Sequence, residues 1–171
     1  MDSKIIILRG NSGSGKTSVA RKLQRSLGRG TLLISQDMIR REMLWVNDGN
    51  ETKAISLLMD LVLYGKENCE FVILEGILNS EWYHKLFERI KLEYGSKTYA
   101  YYYDISFEET LVRHKSKPNC NEFGETEMKS WWKEKDYLEL LSEKRISKEI
   151  SLEKAVKMIY YDVMGVELTE L

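Results

Sequence analysis

Eight consecutive residues near the N-terminus, Gly10-Asn11-Ser12-Gly13-Ser14-Gly15-Lys16-Thr17, fit the spacing G-x-x-x-x-G-K-[ST]. That order of residue types suits a phosphate chain. Glycines at positions 10, 13 and 15 allow the backbone to turn tightly and aim its N–H groups inward. Lys16 is placed to neutralise terminal phosphates, and the Thr17 hydroxyl to bind Mg²⁺. Ser18 follows in the same first helical turn, so residues 10–18 are the expected nucleotide-binding stretch.

A bound triphosphate that donates a phosphoryl group needs an acceptor and something to deprotonate it. Asp37 lies two residues past the strand-like run Thr31–Ser35, and Arg40 follows at helical spacing. The pair reads as a carboxylate base beside a guanidinium that holds a polar part of the acceptor; a plain helix cap is the structural alternative for Asp37. Glu75 ends the run Phe71–Leu74, where a carboxylate can reach a metal-bound water or the acceptor. Arg113 is the expected stabiliser of transition-state charge, with Lys117 as a weaker helper. Glu125 reads as a helix-dipole charge. His84 and His114 lack metal or triad spacing and read as surface residues. Trp131, Trp132 and Tyr137 offer stacking surfaces, but neighbouring aromatics on a helix diverge, so at most one is expected in a cleft. Arg145 is a candidate to stack on adenine.

The elements that must position these residues alternate in type. Lys4–Leu8, Thr31–Ser35, Phe71–Leu74 and Thr98–Tyr103 are short apolar runs of the kind found in parallel strands covered on both faces. Residues 16–27, 37–46, 51–68 and 80–94 read as helices between them, which implies an α/β sheet. Further helices are expected from the Ser106/Glu109 capping pattern to about His114, over Glu125–Leu141, and after Ser151. The last carries an apolar stripe (Leu152, Ala155, Val156, Ile159, Tyr160, Val163). Residues 145–146 give a faint fifth strand. The whole is expected to be one three-layer α-β-α domain, residues 1–171, with a five-stranded parallel sheet and a helical lid near 113–136.

The bulk properties agree. A chain of 171 residues is one domain at ~150 residues per domain. Lys and Arg total 26 against 27 Asp and Glu, a net charge of −1 that does not encourage nucleic acid as a partner. Two cysteines 51 positions apart argue against a disulfide framework. With no apolar run near ~18 residues and no leader-like start, a cytoplasmic protein without a membrane partner is expected.

No Asn-Lys-x-Asp guanine reader and no Leu-Ser-Gly-Gly-Gln signature occurs, and the chain is short for a remodelling ATPase with a separate lid domain. With GNSGSGKT, SQDMIR and the helix carrying Arg113, the chain resembles the small phosphate-loop kinases. That group includes chloramphenicol phosphotransferase, 5′-hydroxyl polynucleotide kinases, zeta-type toxins, and gluconate and shikimate kinases. The resemblance implies ATP and Mg²⁺, and a base at Asp37 acting on a hydroxyl of a small or nucleotide-like acceptor. Arg40 matches an arginine of the polynucleotide kinases, which makes a 5′-hydroxyl polynucleotide kinase the alternative. Thr110–His114 resembles the helix entering their lid. The chain departs from the group where a second lid arginine is replaced at best by Lys117, so the acceptor is not inherited from any named member. A nucleotide-binding regulatory or toxin–antitoxin module is the alternative outside enzymes.

Overall fold

The computed structural model describes residues 2–115 and 124–169. Five strands form one parallel sheet in the order β2-β3-β1-β4-β5: β1 Lys4–Gly10, β2 Leu32–Ser35, β3 Phe71–Gly76, β4 Thr98–Tyr103 and β5 Lys144–Ile146. β1 is central, and its apolar run serves both faces. Ile5 and Ile7 pack into the core beneath α3 (Ala54–Asn68) and α4 (His84–Tyr94). Ile6 and Leu8 pack into the core beneath α1 (Lys16–Leu27) and α7 (Leu152–Met164). This double burial is why the run does not alternate with polar residues. The α-β-α architecture and the sheet match expectation, including β5.

Several helix bounds differ. The helix expected over 37–46 is one turn, α2 (Gln36–Met38), continued by a π-helical turn, Ile39–Met43. The others start later than expected: α3 at Ala54 and α4 at His84. α5 runs Phe107–Lys115. The expected helix 125–141 is only α6, Glu125–Ser130, because side chains and backbone of 131–136 are drawn into contacts with the phosphate loop and β1. The stretch expected as a lid, 113–136, holds the end of α5, α6 and this turn-rich segment among the described residues. Ser151 caps α7 by accepting from the Lys154 amide at 3.2 Å, but Leu152 of the expected stripe is exposed. No described helix is long and apolar enough to cross a membrane.

Open parallel sheets gather ligand groups past the carboxyl ends of their strands. Here the ends of β1, β2 and β3 come together: Leu8 pairs with Glu75, and Ser35 pairs with Glu75 from the other side. β3 therefore separates β2 from β1, and Asp37 faces the phosphate loop across Glu75.

Candidate active site

Residues 10–17 form the turn from β1 into α1, as their glycines require. Gly13 has φ +82° and Gly15 φ +101°, left-handed values that suit glycine. At Gly13 packing also forbids a side chain: a Cβ would lie 2.7 Å from the Thr110 carbonyl and 3.0 Å from Met128 Cε. The loop is thus seated directly under α5 and α6. No side chain caps α1, so its first N–H groups remain available to an anion. Lys16 is buried and turned inward, donating to the Asn11 carbonyl at 2.8 Å and the Ser14 hydroxyl at 3.1 Å. These features fit a phosphate chain. Ser14 and Ser18 do not face the cleft, whereas Gly10, Asn11, Ser12, Gly13, Gly15, Lys16 and Thr17 line it.

The cleft holds about 530 Å³ and runs from this loop to Asp37, Asp48 and Trp131. Glu75, only 3% exposed, accepts from Thr17 Oγ1 at 3.2 Å and Ser35 Oγ at 2.6 Å. A buried carboxylate beside the threonine hydroxyl is a hard-oxygen set that suits Mg²⁺. Among the described residues no cluster of three or more His, Cys, Asp or Glu forms a self-sufficient metal cage. Gly76 follows Glu75 for a steric reason, since a Cβ there would lie 2.7 Å from Gln36 Cβ.

Asp37 is exposed in the cleft and bound to two cations, Arg40 Nη2 at 2.9 Å and Arg41 Nε at 2.7 Å. It does not act as a helix cap, because the residue at that position is Ser35. Arg113 reaches the phosphate loop without entering the cleft lining: its guanidinium donates to the Ser14 carbonyl at 2.9 Å, to Glu109 at 2.8 Å and to the Lys148 carbonyl at 3.2 Å. Lys117 lies outside the described residues. Arg145 covers the Tyr137 ring at 3.9 Å, in a second hollow shared with Tyr102, away from the phosphate loop.

Two readings of individual residues need correction. Both Trp131 and Trp132 line the cleft; α6 ends at Ser130, so helical divergence does not apply to them. His114 is buried at 5% exposure, not on the surface. The dipole charge at α6 is reinforced by Glu127, whose carboxylate accepts the Gly124 amide at 2.9 Å and is held low by that bond.

The sequence reading also missed the group that binds the segment 131–143 to the sheet. Arg9, fully buried, donates to Asp136 at 2.7 Å and Glu143 at 2.7 Å and lies between the Phe87 and Tyr102 rings. Burial alone would push Asp136 up, but the Ser80 hydroxyl and amide, Lys133 and Arg9 hold its carboxyl below the usual range. Glu143 accepts from Arg9 and the Leu138 amide, and there burial, with the neighbouring Asp136 charge, wins and pushes it up. Asn11 completes the tie, its side chain bonding the Lys133 carbonyl at 2.8 Å and amide at 3.0 Å. A charged residue ending an apolar parallel strand was the available signal for Arg9.

The fold has close counterparts. The APS kinase of Mycobacterium tuberculosis, solved with AMPPNP and APS, superposes with TM-score 0.69 at 17% identity, covering 96% of this chain and 98% of that one. The tunicamycin resistance protein of Deinococcus radiodurans gives 0.66 at 14%, covering 99% and 100%. Shikimate kinase from Acinetobacter baumannii, solved with shikimate, gives 0.63 at 17%, covering 95% and 94%. At these identities the likeness is one of fold. No curated protein matches the sequence. The family model described as AAA domain matches residues 5–141, most of the chain, and the protein belongs to that family.

Proposed function

We propose that this protein is a kinase that transfers the γ-phosphoryl group of ATP to a hydroxyl of a small acceptor. One observation carries the reading: a glycine-built phosphate cradle and an exposed carboxylate, Asp37, open into one cleft with Glu75 and Thr17 between them. Structural counterparts named as APS kinase and shikimate kinase support it by analogy of fold.

In this reading the loop amides and Lys16 hold the β and γ phosphates, and Thr17 with Glu75 holds Mg²⁺. The metal, when bound, supplies charge neutralisation on the phosphate oxygens. Asp37 takes the acceptor's hydroxyl proton as its oxygen bonds to the γ phosphorus. The bond from that phosphorus to the β–γ bridging oxygen breaks, and ADP leaves. Arg40 and Arg41 fix the Asp37 carboxylate in place. Arg113, already against the Ser14 carbonyl, steadies the loop and contributes positive charge beside it. The described cleft lining has as many carboxylates as cations, with no basic excess to favour a polynucleotide acceptor.

ATP labelled at the γ position, incubated with a panel of hydroxyl compounds and Mg²⁺, tests the reading. Label is expected on an acceptor, with loss of transfer in Lys16→Ala. Label released only as inorganic phosphate, across a panel spanning sugars, nucleosides and antibiotics, would argue for a nucleotide hydrolase or switch instead.

A further inference from the structure

The far end of the cleft differs from the phosphate end in both charge and shape. Outside the phosphate loop, its described lining carries three cations (Arg40, Arg41, Lys133) and four carboxylates (Asp37, Asp48, Glu75, Asp136). Every one of those cations already meets a carboxylate: Arg40 and Arg41 meet Asp37, and Lys133 meets Asp136 at 3.0 Å. An acceptor carrying a carboxylate, sulfate or phosphate would share these cations with Asp37 and Asp136 and sit against their like charge.

Asp48 is set differently. The hydrogen bonds it accepts come from neutral donors: Gln36 Nε2 at 2.9 Å, the Tyr83 hydroxyl and the Gly49 amide. Its proximity, together with burial, pushes the Tyr83 hydroxyl up, so that phenol stays a donor. The carboxylate is thereby aimed, a partner for an N–H donor or an ammonium group. The same cleft also presents flat apolar surfaces. Trp82 and Trp131 are 37% and 39% exposed, and the Arg41 guanidinium lies 5.5 Å from the Trp131 ring centroid. Partly exposed indoles lining a cleft favour a planar ring.

Building on the kinase reading, we propose that the acceptor is an uncharged or cationic hydroxyl compound with a planar ring and an amino group. Its ring packs on the Trp131–Arg41 wall and its amino group donates to Asp48. Cleft charge and cleft shape select the same class, because an anion is opposed by the carboxylates and a ringless polyol leaves the indoles uncovered.

The test measures binding and transfer separately on the full chain, with AMPPNP and Mg²⁺ for binding and ATP and Mg²⁺ for transfer. The probes are adenosine and cytidine (ring with amino group), uridine (ring without one), and shikimate and gluconate (carboxylates). Adenosine or cytidine is expected to bind more tightly than uridine, and uridine more tightly than either acid. Trp131→Leu should weaken adenosine or cytidine about tenfold or more, with Trp131→Phe restoring much of it, and Asp48→Asn should remove the preference over uridine. AMPPNP affinity and melting temperature, followed in each variant, separate a lost contact from a damaged fold. Failure of all three nucleosides to bind, or equal or tighter binding of the acids, overturns the proposal. Transfer to an acid would overturn it while leaving the kinase intact. Nucleoside binding without transfer would remove the kinase reading and leave the ligand class standing.

Discussion

On the phosphate side of the cleft, one uninterrupted stretch from Gly10 to Thr17 supplies almost everything, and it works chiefly through backbone N–H groups and glycine geometry. On the proposed acceptor side, Asp37, Asp48, Trp82, Trp131 and Asp136 come from separate segments and line the cleft with side chains. In the kinase reading the first side binds a ligand part that any phosphate donor shares, so its solution is local. The second must fit one particular molecule, so its solution depends on how distant segments are brought together. What joins the two is the buried Arg9–Asp136–Glu143 cluster and the Asn11 bonds to Lys133.

The two sides should therefore fail differently. Largest is the chemical step. Asp37→Asn keeps the shape but cannot take a proton, and turnover with a true acceptor should fall by ~10²–10⁴-fold while ATP affinity hardly changes. Lys16→Ala should instead weaken ATP binding or turnover, with the acceptor side unaltered. Kinetics that vary ATP and acceptor independently check both. An Asp37→Asn enzyme of undiminished turnover would return Asp37 to a purely structural role in the Arg40–Arg41 pair.

Next is the joint between the sides. Arg9→Met removes a fully buried cation and strands two carboxylates, so stability should fall by ~3–5 kcal/mol in denaturant unfolding. Glu143→Gln removes one buried charge but keeps an acceptor for Arg9, and should cost much less. Equal losses would show that the cluster is not organised around Arg9. Smaller again is Gly13→Ala, where the Cβ meets the Thr110 carbonyl at 2.7 Å on a backbone with φ +82°. It should cost ~1–3 kcal/mol and weaken ATP binding together with it. Ser12→Ala, in the same loop, should do neither. The contrast between neighbours separates lost space from lost side-chain chemistry.

This division also explains what was legible in the sequence. The strands could be read because burial on both faces leaves unbroken apolar runs such as KIIIL, and the phosphate loop because its residue types are set by local backbone demands. The offset of Asp37 from β2 suffices to put it in the cleft, although β3 with Glu75 stands between it and the loop. The 131–143 segment was misread because helical propensity is a local quantity, whereas Lys133 and Asp136 are claimed by Asn11 and Arg9 from more than 120 positions away. Arg9 itself was passed over because the apolar run appeared to end at Leu8. The strand in fact continues to Gly10 and buries the charge. The pairing of Gln36 with Gly76 was equally hidden, since only the fold shows that a Cβ at 76 has nowhere to go.

The smallest expected effect lies in how the joint responds to acid, and it has two opposite signs within one cluster. Asp136 is held below its ordinary value of 3.8, with the Ser80, Lys133 and Arg9 bonds overcoming burial. Its contribution to stability is present above that pH and is lost as pH falls through the lower folded value. Glu143 is pushed above its ordinary 4.5 by burial, against the pull of Arg9. Its folded form binds a proton more readily than its unfolded form, so its contribution is full below pH 4.5 and declines as pH rises through the folded value. Melting temperatures of the wild type, Asp136→Asn and Glu143→Gln between pH 3 and 7 resolve the two. Glu143→Gln should gain relative to wild type as pH rises from about 4.5, because it no longer carries the cost of ionising in a buried site. Asp136→Asn should lose relative to wild type at neutral pH and converge towards it in acid. Parallel curves for all three proteins would mean that the cluster does not change protonation on unfolding, and that the acceptor side is joined to the sheet by geometry alone.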